Sequence, residues 1–266
     1  MDFKKIKCIV LDIDGTLTNS KNEISDYTKN IIKKLINQNF KVILSSGRNI
    51  DSVVEASKIC GASSIVIANN GSTIYDYKKN KFLFKSTINQ ELINEIWKLC
   101  LKYNIDSIYN SLNLRYRNYK VLDKSYNEKN DKEIEIITDI KEDIYQIVLL
   151  GNDDIKFNCC MNEIKKCELE ISNTAKGSNG IIFADINLKG ISKGIAIKNL
   201  CKLLDIKKDN IICFGDSMND IELFNSCGIK VAMKNSIDEL KFISNYITQY
   251  SNDEDGVAKF LEEYFK

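Results

Sequence analysis

The chain has 266 residues, 44% hydrophobic and 28% charged, which supplies apolar material for one large core or two moderate ones and excludes a disordered or collagen-like protein. With 38 Lys+Arg against 37 Asp+Glu the net charge is +1, so no global field recruits nucleic acid or anionic lipid, and an anionic ligand must be held by a local site. Histidine is absent, which removes the Ser-His-Asp triad, the Cys-His dyad, histidine zinc sites and a histidine base, and leaves the chemistry to carboxylates, Lys, Ser, Thr or Cys.

The nine cysteines are scattered and never form C-x-x-C, so they read as reduced thiols, with Cys8 and Cys213 inside buried strands rather than reactive. The opening run MDFKKIKCIVLDIDG is broken by Asp12 and Asp14 and carries no cleavage pattern. No uncharged stretch elsewhere approaches the roughly 18 residues of a membrane span. The expectation is a cytoplasmic protein with no membrane or nucleic-acid partner. Proline is also absent, to which no function is attached.

Residues 6–11 (IKCIVL) predict a strand buried on both faces, 25–37 a helix, 41–44 (KVIL) a second strand, 51–60 a helix closed by Gly61, and 64–68 a third strand. Strand, helix, strand, helix, strand is the pattern of a parallel sheet with right-handed crossovers. Asn70-Gly71 reads as a hairpin turn that carries the chain off the sheet through 73–75. Between residues 84 and 185 the pattern changes to mixed α+β: a helix at 90–103 with Trp97 in its core, alternating stretches at 107–117, a charged strand-poor region at 123–142, a strand at 145–150, a helix at 154–166, and strands near 168–172 and 181–184. The polar run NTAKGSNG (173–180) reads as a loop. The first rhythm then returns, with a helix at 193–204, a strand at 211–214, a short helix at 219–225, a strand at 229–233 and a final amphipathic helix at 257–264. The expected organisation is therefore an α/β Rossmann-like parallel-sheet core, 1–83 and 186–266, interrupted by an α+β insertion, 84–185.

Ligands of an open parallel sheet bind beyond the carboxyl ends of its strands, and those ends agree on one chemistry. The first strand runs into Asp12-Ile13-Asp14-Gly15-Thr16, whose two carboxylates point the same way if the strand persists. Their mutual repulsion is relieved by a hard cation such as Mg²⁺; one can then attack phosphorus while the other passes a proton. Gly15 lets a phosphate approach the backbone. Ser45-Ser46-Gly47-Arg48 offers a hydroxyl and backbone N–H groups at a helix start, a phosphate cradle. Lys193, in GISKG, opens a helix and can neutralise a transferring group, and Gly215-Asp216-Ser217-Met218-Asn219-Asp220 adds two acids.

The segments VLDIDGTL, ILSSGR, GISKG and FGDSMNDIELF resemble, in order and spacing, the four motifs of the haloacid dehalogenase (HAD) superfamily, and most closely its Cof-type phosphatases, which carry an inserted α/β cap. The resemblance covers the first 83 residues and about the last 80; the cap matches in size and character alone. It implies Asp12 as nucleophile and Asp14 as general acid/base, with Ser46 and Lys193 holding the phosphoryl group. Mg²⁺ would lie between Asp12, the Asp14 carbonyl and Asp216, with Asp220 supporting the metal or Lys193 from behind and Asn219 orienting phosphate or substrate. Gly15, Gly47 and Arg48 complete the phosphate-binding set. The family usually has Thr where this chain has Ser46, and the hydroxyl is kept.

Taken singly, each motif has a plainer reading: Asp12-x-Asp14-Gly a turn, Ser45-Ser46-Gly47 a capping loop, Lys193 a solvated lysine, Asp216 onward a capped helix start. Arg48 reads equally as an anion contact or a brace of the core. Asn70-Gly71 reads as a turn that could also touch substrate. The aromatic and basic run 109–119 invites nucleic acid, but a two-faced strand pair fits the net charge better. The expected activity is Mg²⁺-dependent hydrolysis of a small phosphorylated metabolite through an aspartyl-phosphate. Sugar phosphates, pyridoxal phosphate and flavin mononucleotide are the substrates the resemblance suggests, with cap contacts in 109–119 and 173–180. A phosphomutase on the same scaffold and a non-catalytic phosphometabolite-binding regulator are the alternatives. Nothing in the sequence speaks to oligomeric state.

Overall fold

The structure, a computed structural model, describes residues 3–118, 130–177 and 179–265. They form two compact units, Met1–Phe84 with Ser192–Lys266, and Lys85–Ile191. In chain order the first unit opens with β1 (Cys8–Leu11), α1 (Asp26–Asn37), β2 (Lys41–Ser45), α2 (Ile50–Cys60), β3 (Ile65–Ala68), β4 (Thr73–Asp76) and β5 (Lys81–Lys85). The second unit follows with α3 (Gln90–Tyr103), β6 (Asp106–Asn110), β7 (Arg115–Asn118), β8 (Asp131–Glu133), β9 (Gln146–Gly151), α4 (Asp154–Ile164), β10 (Leu169–Lys176) and β11 (Ile182–Leu188). The first unit is then completed by α5 (Lys193–Leu204), β12 (Ile211–Gly215), α6 (Ile221–Asn225), β13 (Ile229–Ala232), α7 (Asp238–Ile243), β14 (Tyr246–Ile247) and α8 (Gly256–Tyr264).

The first unit is built on one sheet in the order β14-β13-β12-β1-β2-β3-β4-β5. Parallel pairing runs from β14 to β3, while β4 lies antiparallel to β3. The strands of the parallel part are near-continuous hydrophobic runs because both faces are covered. In β12, Cys213 joins Val10, Ile43 and Ile67 in a cluster with Ala196, Ile197 and Leu200 of α5. Its neighbour Phe214 points the other way and meets Phe260 of α8 edge-on, with ring centroids 5.4 Å apart. Chain order proceeds outward from β1 in one direction and from β12 in the other, so the two strands sit side by side where the order reverses. That reversal opens a crevice at their carboxyl ends.

Helix ends are set by local chemistry. Ser25 caps α1 by accepting from Thr28 N, Asn49 caps α2 by accepting from Ser52 N, and Gly61 closes α2 in the left-handed conformation at φ 71°.

The second unit carries a six-stranded sheet in the order β10-β11-β9-β6-β7-β8. One face packs on α3 and α4 through Trp97, Tyr109, Ile147, Leu149, Phe157 and Cys160. Tyr109 and Tyr116 lie in this apolar cluster, and Arg117 pairs with Asp131 at 3.4 Å, so the run at 109–118 is a strand pair; Tyr119 lies outside the described residues.

Several expectations need correction. The Asn70-Gly71 turn leaves the chain in the sheet, because β4 and β5 extend it at the antiparallel edge. Residues 173–176, read as loop, continue β10 by pairing with β11, and Ser178 lies outside the described residues. Residues 186–191, expected in the core, belong to the second unit because β11 runs on to Leu188. Of the charged region 123–142, residues 130–142 contain a short strand, β8, and the rest lies outside the described residues. The short elements β5, α7 and β14 carry too few periodic residues to be seen in the sequence.

Candidate active site

Asp12 follows the last residue of β1 with extended backbone (φ −65°, ψ 162°) and is 4% exposed. The strand does not persist beyond it. Residues Ile13–Leu17 wind into an irregular turn in which Gly15 takes φ 72°; the extended run ends before Ile13, so the strand alternation does not reach Asp14. Its carboxylate is about half exposed and receives a forked pair from Arg48, Nε to Oδ2 at 2.9 Å and Nη2 to Oδ1 at 2.5 Å. Arg48, for which the sequence left two readings, is therefore the partner of Asp14.

A Cβ at residue 15 would lie 2.3 Å from Asp216 Oδ2, and the positive φ disfavours a side chain as well. Glycine here keeps the Asp216 carboxylate in place and open. Gly15→Ala is expected to displace Asp216 and weaken divalent-cation binding at least tenfold while leaving the sheet folded, which calorimetric titration with Mg²⁺ together with a melting curve would check.

Lys193 is the first residue of α5, behind the Ser192 cap, and its side chain is fully buried. A buried ammonium needs partners on several sides. Its Nζ donates to Asp12 Oδ1 at 2.5 Å and to Asp220 Oδ1 at 2.7 Å. The other oxygen of Asp220 accepts from the main-chain N–H groups of Asp216 (3.0 Å) and Ser217 (3.2 Å). With both oxygens engaged, Asp220 anchors Lys193 and closes the loop after β12. Asp216 accepts from the Thr16 hydroxyl at 3.1 Å, a contact that the D-x-D-G-T spacing signals only once Asp216 is known to lie beside it.

The electrostatics follow from this crowding. Burial, offset by Lys193 and reinforced by Asp220 and Asp216, pushes the Asp12 carboxyl well above the usual range. Burial and then Asp220 push Asp216 up to about 7. Burial alone would lower the Lys193 ammonium, but Asp12 and Asp220 outweigh it and hold the group protonated. Asp12, Asp216 and Asp220 offer carboxylate oxygens within 4.8 Å of one another. Three carboxylates against one ammonium leave two negative charges uncompensated when all are ionised, which a divalent cation would balance. An all-oxygen donor set suits Mg²⁺. Because Asp220 is committed elsewhere, Asp12 and Asp216 are the side chains fitted to hold the ion.

Ser46 is buried, at 1% exposure. Its hydroxyl accepts from Arg48 N at 3.1 Å, and its own N–H donates to Ile67 O at 3.0 Å. The cradle expected at a helix start is thus altered: α2 begins beyond this loop at Ile50, with Asn49 as its cap, and two of the loop's amides already have protein partners. Gly47 lies between Ser46 and Arg48 in the same loop. Asn219 donates from Nδ2 to Asn70 Oδ1 at 3.0 Å and accepts from the Ser217 hydroxyl at 2.8 Å. The fold therefore brings Asp12, Lys193, Asp216 and Asp220 into one cluster, pairs Asp14 with Arg48 at its rim, and ties Asn219 to the turn after β3. Asn235 Nδ2 donates to Gly15 O at 2.8 Å, a contact that no local pattern in the sequence marks.

A parallel sheet whose reversal point carries this cluster is the arrangement of a phosphoryl-transfer enzyme. The model of the haloacid dehalogenase-like hydrolases matches residues 9–261, and the chain belongs to that family. Its similarity extends to a curated phosphatase from Bacillus subtilis, 5-amino-6-(5-phospho-D-ribitylamino)uracil phosphatase YcsE, 30% identical over 260 residues covering 97% of this chain and 96% of that one. Among solved structures, a haloacid dehalogenase-like hydrolase from Bacteroides thetaiotaomicron superposes with TM-score 0.85 at 24% identity, covering 98% of this chain and 100% of the other. A HAD subclass IIB sugar phosphatase superposes with TM-score 0.80 at 22% identity, covering 97% and 98%. The chain is thus a haloacid dehalogenase-like phosphoric monoester hydrolase. Among the described residues no helix is long and apolar enough to cross a membrane.

Proposed function

We propose that the protein is a Mg²⁺-dependent phosphatase that transfers the phosphoryl group of a phosphorylated polyol or sugar to Asp12 and then to water. The observation that carries this reading is the buried Asp12 carboxylate at the reversal point, with one oxygen held by Lys193 and Asp216 beside it. Relatives named as ribityl-phosphate and sugar phosphatases support the substrate class. Mg²⁺, held by Asp12, Asp216 and the main-chain carbonyl of Asp14, would supply positive charge to the phosphoryl oxygens and keep Asp12 ionised.

In the first half-reaction an Asp12 oxygen attacks phosphorus, an Asp–O–P bond forms, and the P–O bond to the leaving alcohol breaks. Asp14 passes a proton to the departing alkoxide; this requires its carboxyl to leave the Arg48 fork. Lys193 and the Ser46 hydroxyl take up charge developing on the phosphoryl oxygens, and Gly15 and Gly47 let that group approach the main chain. Asn219 and Arg48 orient the bound ester. In the second half-reaction Asp14 accepts a proton from water, whose oxygen attacks phosphorus; inorganic phosphate leaves and the Asp12 carboxylate is restored. Residues Lys85–Ile191 are assigned the selection of the leaving alcohol.

Phosphate release from a panel of phosphorylated metabolites, measured with Mg²⁺ and after chelation, tests the reading. Release that requires Mg²⁺ is expected, with polyol and sugar phosphates turned over fastest; equal release after chelation would sink the metal assignment. The pH dependence has a fixed sign. Asp216 is protonated below about 7 and must lose that proton to bind a cation, so activity falls as pH drops through that region. Raising the Mg²⁺ concentration should move this acidic limb to lower pH, and a limb indifferent to Mg²⁺ would speak against Asp216 as ligand.

A further inference from the structure

The turn between β3 and β4 is held in an unusual conformation. Asn69, Asn70 and Gly71 take φ 53°, 53° and 95° in succession. Left-handed backbone is unfavourable for a non-glycine residue, and asparagine tolerates it best. Both asparagines are buried, at 0% and 1% exposure, in a turn that a simple hairpin would leave at the surface. Backbone strain that the surroundings maintain marks a place where a geometric constraint is at work.

Its contacts identify the constraint. Asn69 N donates to Arg48 O at 2.9 Å and Asn70 N to Ser46 O at 3.1 Å, which ties the turn to the loop after β2. Asn70 Oδ1 accepts from Asn219 Nδ2 at 3.0 Å, which ties it to the loop after β12, 149 residues away. A Cβ on Gly71 would lie 2.2 Å from Ser192 O, so the turn also abuts the cap of α5, one residue before Lys193. One buried turn thus touches three of the four segments that carry the acidic cluster and its neighbours.

On the phosphatase reading above, we propose that Asn70 is a positioning residue of the phosphoryl site. Its amide holds Asn219, and its main chain holds the Ser46 loop, at the separation a phosphoryl group requires. Asn70 acts through these neighbours and takes no part in bond making.

The test separates side chain from turn. Asn70→Gly keeps the left-handed backbone and removes the amide, whereas Asn70→Ala removes the amide and adds strain. For the full chain with Mg²⁺ and the best ester of the panel, Asn70→Gly is expected to melt within a few degrees of the wild type. Its kcat should fall roughly 10- to 100-fold and its inhibition constant for inorganic phosphate should rise in parallel. Asn219→Ala should behave alike, and the double variant Asn70→Gly/Asn219→Ala should be no worse than either alone, because both remove one interaction. Wild-type kcat and phosphate inhibition in Asn70→Gly would reduce Asn70 to a turn former and overturn the proposal, as would fully additive losses. Absence of Mg²⁺-dependent release from the wild type would instead overturn the phosphatase reading, and the positioning role with it.

Discussion

Asp12→Asn is expected to lower phosphate release by about 10⁴-fold or more at every substrate concentration, because it removes the atom that forms the new bond to phosphorus. The substitution is nearly isosteric, and an amide oxygen can still accept from Lys193, so the loss cannot come from repacking. The fold should hold: the native carboxylate is buried beside Asp216 and Asp220, its proton affinity is raised by that burial, and a neutral group relieves the repulsion. A melting temperature equal to or above that of the wild type, with phosphate release at background, is the expected pair of results. Trapping adds a sharper check, since mass spectrometry of quenched wild-type enzyme should find the phosphoryl group on Asp12 and find none in the variant. Substantial turnover in Asp12→Asn would remove the aspartyl-phosphate mechanism.

Lys193→Met is expected to be the most damaging single change to stability. The methionine fills a similar volume, but the fully buried Nζ bonds to Asp12 and Asp220 disappear. Three neighbouring carboxylates are then left without their internal cation. Removing one partner of a buried ion pair costs about 3–5 kcal/mol, since the other charge stays desolvated. The sign of the pH dependence follows from the raised carboxyls. Asp12 and Asp216 bind protons more tightly folded than unfolded even beside Lys193, whose charge lowers both, so without it the folded variant takes up protons at higher pH than the wild type does. Its deficit should therefore be largest at alkaline pH and shrink as pH falls. Urea unfolding at several pH values checks this, and a deficit independent of pH would mean that packing and not charge is responsible. Saturating Mg²⁺ should restore part of the loss, about 2.7 kcal/mol at a hundredfold excess over its dissociation constant.

Much of this chemistry could be read without a structure because it is written in short spacings. Asp12 ends a run of buried aliphatic residues, Lys193 follows the capping Ser192, and Asp216 follows IICFG; each signal depends on the few residues around it. The alternation of strand and helix likewise announced the parallel core. Elements held by tertiary pairing more than by their own pattern were hidden, as with the two residues of β14 and the polar end of β10. Asp14 shows where local reasoning stops. Two residues along a persisting strand it would have pointed with Asp12, but the strand ends before Ile13 and Arg48, 34 residues away, takes its carboxylate.

By itself, then, the sequence determined the fold class, the kind of chemistry and the strand ends that carry it, since hydrophobic period, capping and turn residues act over a few positions. Only the tertiary structure decided which polar groups meet: Lys193 with Asp12 across 181 residues, Arg48 with Asp14, Asn70 with Asn219. The physical reason is that crossover connections and an inserted unit bring distant strand ends to one edge of the sheet. The spacing between those ends is set by packing, about which no local pattern along the chain carries information.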